Sequence, residues 1–161
     1  MTQAVLPFLR AQGNGHIIQI SSFGGVTFWP NMGGYHASKW ALEGLTDTLA
    51  QEVAGFGVKV TLVEPNNFAT DAAGSSGVHA QPIPAYDGVR AAVTAAFSGA
   101  PAGDPASAGP ALLKIADAEN PPQRVFFGAS SLPAIAQVYA ERLKTWDDWA
   151  DVSALAEGAQ R

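Results

Sequence analysis

Along residues 1–11 the apolar positions Ala4, Val5, Phe8 and Leu9 fall at helical spacing. Pro7 kinks or limits that helix. Gly13-Asn14-Gly15 stops it, and HIIQIS follows, with Gln19 the single polar residue between Ile17 and Ile20. A short β-branched run of this kind predicts a strand buried on both faces, as in a parallel sheet. Residues 21–34 are rich in Ser and Gly and read as a loop. From Tyr35 to Ala54, residues Ala37, Trp40, Ala41, Leu45, Leu49 and Val53 are spaced by three or four, which predicts a long helix. Gly55-Phe56-Gly57 ends it, and KVTLVEP gives a second buried strand at 59–63, stopped by Pro65.

Regularity falls off over residues 66–110, which carry Asn66-Asn67, Gly74-Ser75-Ser76-Gly77 and five prolines from Pro82 to Pro110. A helix fits Tyr86–Phe97, and another fits Pro105–Ala118 with its proline near the N-terminus. RVFFG at 124–128 predicts a third strand and residues 132–146 a further helix, while DDWADVSALAEGAQR is weak in pattern. Strands alternating with helices predict an α/β fold. It would be a partial Rossmann-like, doubly wound parallel sheet of about three strands flanked by helices. HIIQIS would be central in such a sheet, with another strand on its far side.

Composition narrows the function classes. The chain has 161 residues, which predicts a single domain over 1–161. Hydrophobic residues make up 47% and charged residues 14%, which excludes a disordered chain. The net charge is −5 and no Lys/Arg cluster occurs, so nucleic acid is not expected as a partner. There is no cysteine, which removes thiolate nucleophiles and Cys-based zinc sites. No leader-like N-terminus or long apolar run is present. A cytoplasmic location without membrane association is therefore expected.

The candidate chemistry lies in GGYHASKW, residues 33–40. Tyr35 and Lys39 are four apart and share a helical face. A nearby ammonium favours a phenolate, and a phenol so placed can exchange a proton with a carbonyl or alcohol oxygen. The spacing alone fits equally a half-buried aromatic beside a snorkelling lysine. Ser21-Ser22 closes a predicted strand at its carboxyl edge, where open α/β sheets bind ligands, although serine is also common turn chemistry. Ser22 precedes Tyr35 by thirteen residues, across a loop able to fold back. His16, His36 and His79 are scattered, so no metal site is expected. His36 is about 100° around the helix from Tyr35 and so faces elsewhere.

Together QIS-Ser22, Tyr35-His-Ala-Ser-Lys39, GVKVTLVEP and the late RVFFG resemble the short-chain dehydrogenase/reductase family. The resemblance implies a Rossmann-fold domain and hydride transfer between NAD or NADP and a small carbonyl or alcohol substrate. Ser22 would polarise the substrate oxygen, Tyr35 would be the general acid/base, and Lys39 would favour the phenolate and bind the nicotinamide ribose. The stretch from Pro65 through Asn66 and Phe68 would lie along the nicotinamide. Thr70 matches the family's threonine near the carboxamide and phosphates. A variable substrate loop would span about 66–105, and a homo-oligomer would form through the helix carrying Tyr35 and Lys39.

The pattern departs from the family in two places. Asn66 stands where the family has glycine, a position that favours close backbone approach or positive φ. The family's opening strand and glycine-rich TGxxxGIG turn, which receives the cofactor pyrophosphate, have no counterpart, so the chain corresponds to the C-terminal, catalytic part. Without a strand beyond it, HIIQIS would be an exposed apolar edge. The 161 residues alone are then expected to be marginally stable or self-associating and impaired in activity. The alternative is a truncated, non-catalytic relative acting as an interaction module.

Overall fold

The computed structural model describes residues 1–71 and 80–158; the part of the variable stretch from 72 to 79, including Gly74-Ser75-Ser76-Gly77 and His79, lies outside the described residues. Two compact units divide the chain, Met1–Gly128 and Ala129–Arg161. The first contains α1 (Thr2–Gln12), β1 (Gly15–Ile20), α2 (Gly33–Val53), β2 (Val58–Pro65), α3 (Asp87–Phe97), α4 (Ala108–Ala116) and β3 (Arg124–Phe127). The second contains α5 (Leu132–Asp148) and α6 (Ala150–Ala156). It is an α/β fold around a three-stranded parallel sheet in the order β1-β2-β3.

Local chemistry sets the element ends. α1 runs through Pro7 at the cost of one backbone bond. It ends at Gly13, whose φ of 71° lets its N–H reach the Leu9 and Arg10 carbonyls. β1 pairs with β2 from Gly15↔Val58 to Ile20↔Val63, and β2 with β3 from Leu62↔Arg124 to Pro65↔Phe127. The central strand is therefore the buried one, with Leu62 and Thr61 at 0% exposure.

β1 is an outer strand among the described residues. Of its side chains only Ile17 is buried, and Ile20 is 49% exposed. The expected two-sided burial is not realised because β1 has a neighbour on one edge only.

Two apolar clusters cover the sheet faces. Ile17, Val58 and Val60 pack with Leu49 and Val53 of α2 and with Leu6 and Leu9 of α1. On the other face Val63 and Phe127 pack with Ile115 of α4 and with Phe68. Each fully buried aliphatic side chain contributes roughly 1.5–3 kcal/mol.

The inner face of α2 carries His36, Glu43, Thr46, Leu49 and Val53, while Leu45 is 63% exposed. The apolar spacing found the helix, but buried polar contacts decide which way its upper half faces. None of the described helices is long and apolar enough to cross a membrane.

Candidate functional site

The carboxyl ends of β1 and β2 meet the first turns of α2. Beyond Ile20 the ladder continues by one bond, from Ser21 N–H to the Val63 carbonyl at 2.7 Å. Ser22 is extended (φ −168°, ψ 156°) and caps a 3-10 turn at Phe23–Gly25, its Oγ accepting from Gly24 N–H at 3.1 Å. Tyr35, in the first turn of α2, donates its hydroxyl to Ser22 Oγ at 2.7 Å. Ser22 Oγ thus accepts twice and keeps its own proton to donate. One turn along, Lys39 Nζ donates to the Ile20 and Ser21 carbonyls, each at 3.3 Å, and lies 6.0 Å from the Tyr35 ring centroid. An ammonium has three donors, so one remains.

His36 holds the intervening loop. It is 6% exposed. Trp29 N–H donates to Nε2 at 3.1 Å, so the ring proton is on Nδ1, which donates to the Gly24 carbonyl at 2.8 Å. Trp40 Nε1 adds a bond to the Thr27 carbonyl at 3.3 Å. Gly24 lies so close that a Cβ there would sit 2.9 Å from Tyr35 Cε1 and 3.1 Å from His36 Nδ1. His36 does not face elsewhere: its ring lies edge-on to the Tyr35 ring at 5.8 Å, and its two ring bonds hold this loop to the helix.

A cavity of about 300 Å³ opens over the pair. Ser22, Tyr35, Pro65, Asn66 and Asn67 line its sheet end, and Phe23, Trp29 and Phe97 form an aromatic wall. Trp29 stacks on Phe23 at 5.7 Å and meets the His36 ring edge-on at 4.3 Å.

Of the sequence-predicted residues, Ser22, Tyr35, Pro65 and Asn66 thus share one cavity, with Lys39 anchored beside it. Phe68 is not brought there, because its ring packs with Val63, Ile115 and Phe127 in the opposite cluster. Thr70 is exposed, its N–H bonded to the Phe68 carbonyl at 2.8 Å. Asn66 does not use the left-handed region, since Asn31 is the non-glycine residue with positive φ among those described. The tight approach falls to Gly128 instead, where a Cβ would come within 2.9 Å of Asn66 Cβ. Phe23, Trp29, Asn67 and Phe97 were not among the predicted site residues, because loop tips and a distant helix bring them in.

A partly buried charged cluster lies behind the site. Arg124 of β3 donates through its guanidinium to Glu43, Asp47 and Glu64. Its bond to Glu64 Oε1 is 2.8 Å long. Glu64 is 1% and Glu43 4% exposed, and Glu43 Oε1, Glu64 Oε2 and Ser21 Oγ have no partner. Burial foremost, then the charge of Glu43, pushes the Glu64 carboxyl up to about 7, against the bond and charge of Arg124. The cluster reaches the loop at Gly25, where a Cβ would lie 2.6 Å from Glu43 Oε1 and 2.8 Å from Ser21 Oγ.

A family profile described as short chain dehydrogenase matches residues 1–80. The chain is 37% identical over 157 residues to Oxidoreductase BOA17 of Botryotinia fuckeliana, covering 95% of this chain and 57% of that protein. The chain belongs to the short-chain dehydrogenase/reductase family. A solved short-chain dehydrogenase from Streptomyces avermitilis is 34% identical, with a TM-score of 0.83 over 96% of this chain and 57% of that one. A second, from Burkholderia cenocepacia and in complex with NADP, is 23% identical with a TM-score of 0.56 and speaks for the fold alone. It is covered over 52% of its length, so this chain spans little more than half of these relatives. The family's general activity is hydride transfer with a nicotinamide cofactor.

Proposed function

We propose that Ser22, Tyr35 and Lys39 carry out the NAD(P)-dependent interconversion of a carbonyl and an alcohol. The observation that carries this reading is the 2.7 Å hydrogen bond from Tyr35 Oη to Ser22 Oγ inside an open cavity at the carboxyl end of the sheet. A substrate oxygen entering there takes the Tyr35 hydroxyl bond from Ser22 and receives a second one from the Ser22 hydroxyl. Polarised by both, it accepts the Tyr35 proton as negative charge develops on it. Lys39 then faces a phenolate and stabilises it.

The residues fit a nicotinamide group. The remaining Lys39 donor suits ribose hydroxyls, and the backbone at Pro65 and Asn66 borders the cavity. A nicotinamide held there in reduced form would supply the hydride that the carbonyl carbon takes up, itself becoming oxidised. The opposite direction returns an alcohol proton to Tyr35.

Substituting Lys39 tests the reading. Lys39→Ala is expected to weaken both cofactor affinity and turnover, read by calorimetry and by loss of reduced-nicotinamide absorbance. Unchanged cofactor affinity together with unchanged turnover would refute its role.

A further inference from the structure

None of the residues of α3 is buried, yet Val89, Ala92, Val93, Ala96 and Phe97 recur along it at helical spacing. That stripe is one wall of a groove of about 480 Å³, and Trp29 and Pro30 form the other. Trp29 and Phe97 also line the cavity over Ser22 and Tyr35, with their rings 5.3 Å apart, so groove and cavity meet at this pair. Among the described residues, neither is lined by a charged side chain. Arg90, on the same helix, is engaged by Asp87 and by the Ile83 carbonyl at 3.0 Å. Polarity is confined to the end bearing Ser22, Tyr35, Asn66 and Asn67. From Val89 to Phe97 the stripe is about 12 Å long at 1.5 Å per residue.

We propose that the substrate is an uncharged ketone or aldehyde with an extended alkyl chain. Its carbonyl lies at Tyr35 and Ser22, and its chain crosses the surface of the Trp29–Phe97 pair and runs along α3. This assignment rests on the hydride-transfer reading of the site. An apolar chain gains from burial in a groove lined by Val89, Ala92, Val93 and Ala96. A sugar or an ionised tail would surrender water there for no hydrogen-bond partner.

The test uses the full-length protein with NADPH or NADH and the 2-alkanones from butanone to decanone. The expected result is a rise in kcat/KM of about fourfold per methylene, levelling where the chain outruns the groove. Ala92→Trp, which fills the groove, should compress the decanone-to-butanone ratio at least about tenfold. A flat series with butanone turned over, or preference for a polyhydroxylated carbonyl, would overturn the assignment and leave the hydride-transfer reading standing. Cofactor binding with no carbonyl of any class reduced would count against that reading instead.

Binding without turnover separates the two further. In a tryptophan-fluorescence titration, with Trp29→Phe identifying the signal, Kd for 2-decanone should lie far below that for 2-butanone. Equal constants overturn the assignment. So does an absence of binding combined with self-association that Ala92→Trp abolishes, since a second copy would then occupy the groove.

Discussion

Replacing Glu64 by glutamine should remove a pH dependence of stability that the wild-type protein carries. Glu64 is 1% exposed and faces Glu43 across the Arg124 guanidinium, and its carboxyl is pushed from 4.5 up to about 7 by burial and by Glu43. A carboxyl whose folded value is raised binds its proton more tightly in the native state. Its contribution is therefore complete below pH 4.5 and is lost as the pH rises through about 7. At about 1.4 kcal/mol per unit, the difference between the two values amounts to roughly 3 kcal/mol. The substituted amide has no proton to lose and keeps a carbonyl oxygen able to accept from Arg124. Denaturant unfolding of both proteins from pH 5 to 8 should give similar stabilities at pH 5. By pH 8 the Glu64→Gln variant should be more stable by about 3 kcal/mol. The difference between the proteins is the informative quantity, because His16 acts in the opposite sense. Its pKa is lowered by burial and by Lys59, so its contribution is present above 6.5 and lost as the pH falls. Parallel stability curves for the two proteins would refute the protonated Glu64.

Two further substitutions probe the framework around the site. Gly24→Ala places a methyl group 2.9 Å from Tyr35 Cε1, and overpacking of this kind costs about 1–3 kcal/mol. It should also move the phenol off Ser22, with a fall in kcat larger than any change in KM; wild-type kcat would show that the ring does not depend on this approach. Arg124→Met leaves three carboxylates facing one another. Its cost should be about 2–3 kcal/mol at pH 8, below that of a fully buried pair because the guanidinium is 36% exposed. The cost should shrink at pH 5, where Glu64 is protonated, and urea unfolding that shows the same loss at both values would contradict the arrangement.

The strands and most helices were readable because their signals are local. HIIQIS, KVTLVEP and RVFFG sit between glycines and prolines, and β1, β2 and β3 follow them closely. The Ser22–Tyr35–Lys39 grouping was readable for a similar reason, since a strand end, a short loop and one helical turn suffice to juxtapose it. The orientation of α2 was not, because its buried Glu43 answers to Arg124, 81 residues away. Phe97 reaches the cavity through α3, whose apolar stripe marks a helix but not its target. α6 escaped because its short sequence carries little periodicity. Phe68 illustrates the converse: the family resemblance implied the cofactor side, and packing turned its ring into the core.

The central claim is that Tyr35 moves the proton, and Tyr35→Phe tests it most directly. The variant keeps the ring and loses only the hydroxyl that donates to Ser22 Oγ at 2.7 Å. Measured in the full-length protein, reduction of a carbonyl substrate should fall by about 100-fold or more, with the cofactor Kd from calorimetry changed less than about threefold. Turnover comparable to wild type would contradict the assignment of Tyr35 as the acid/base.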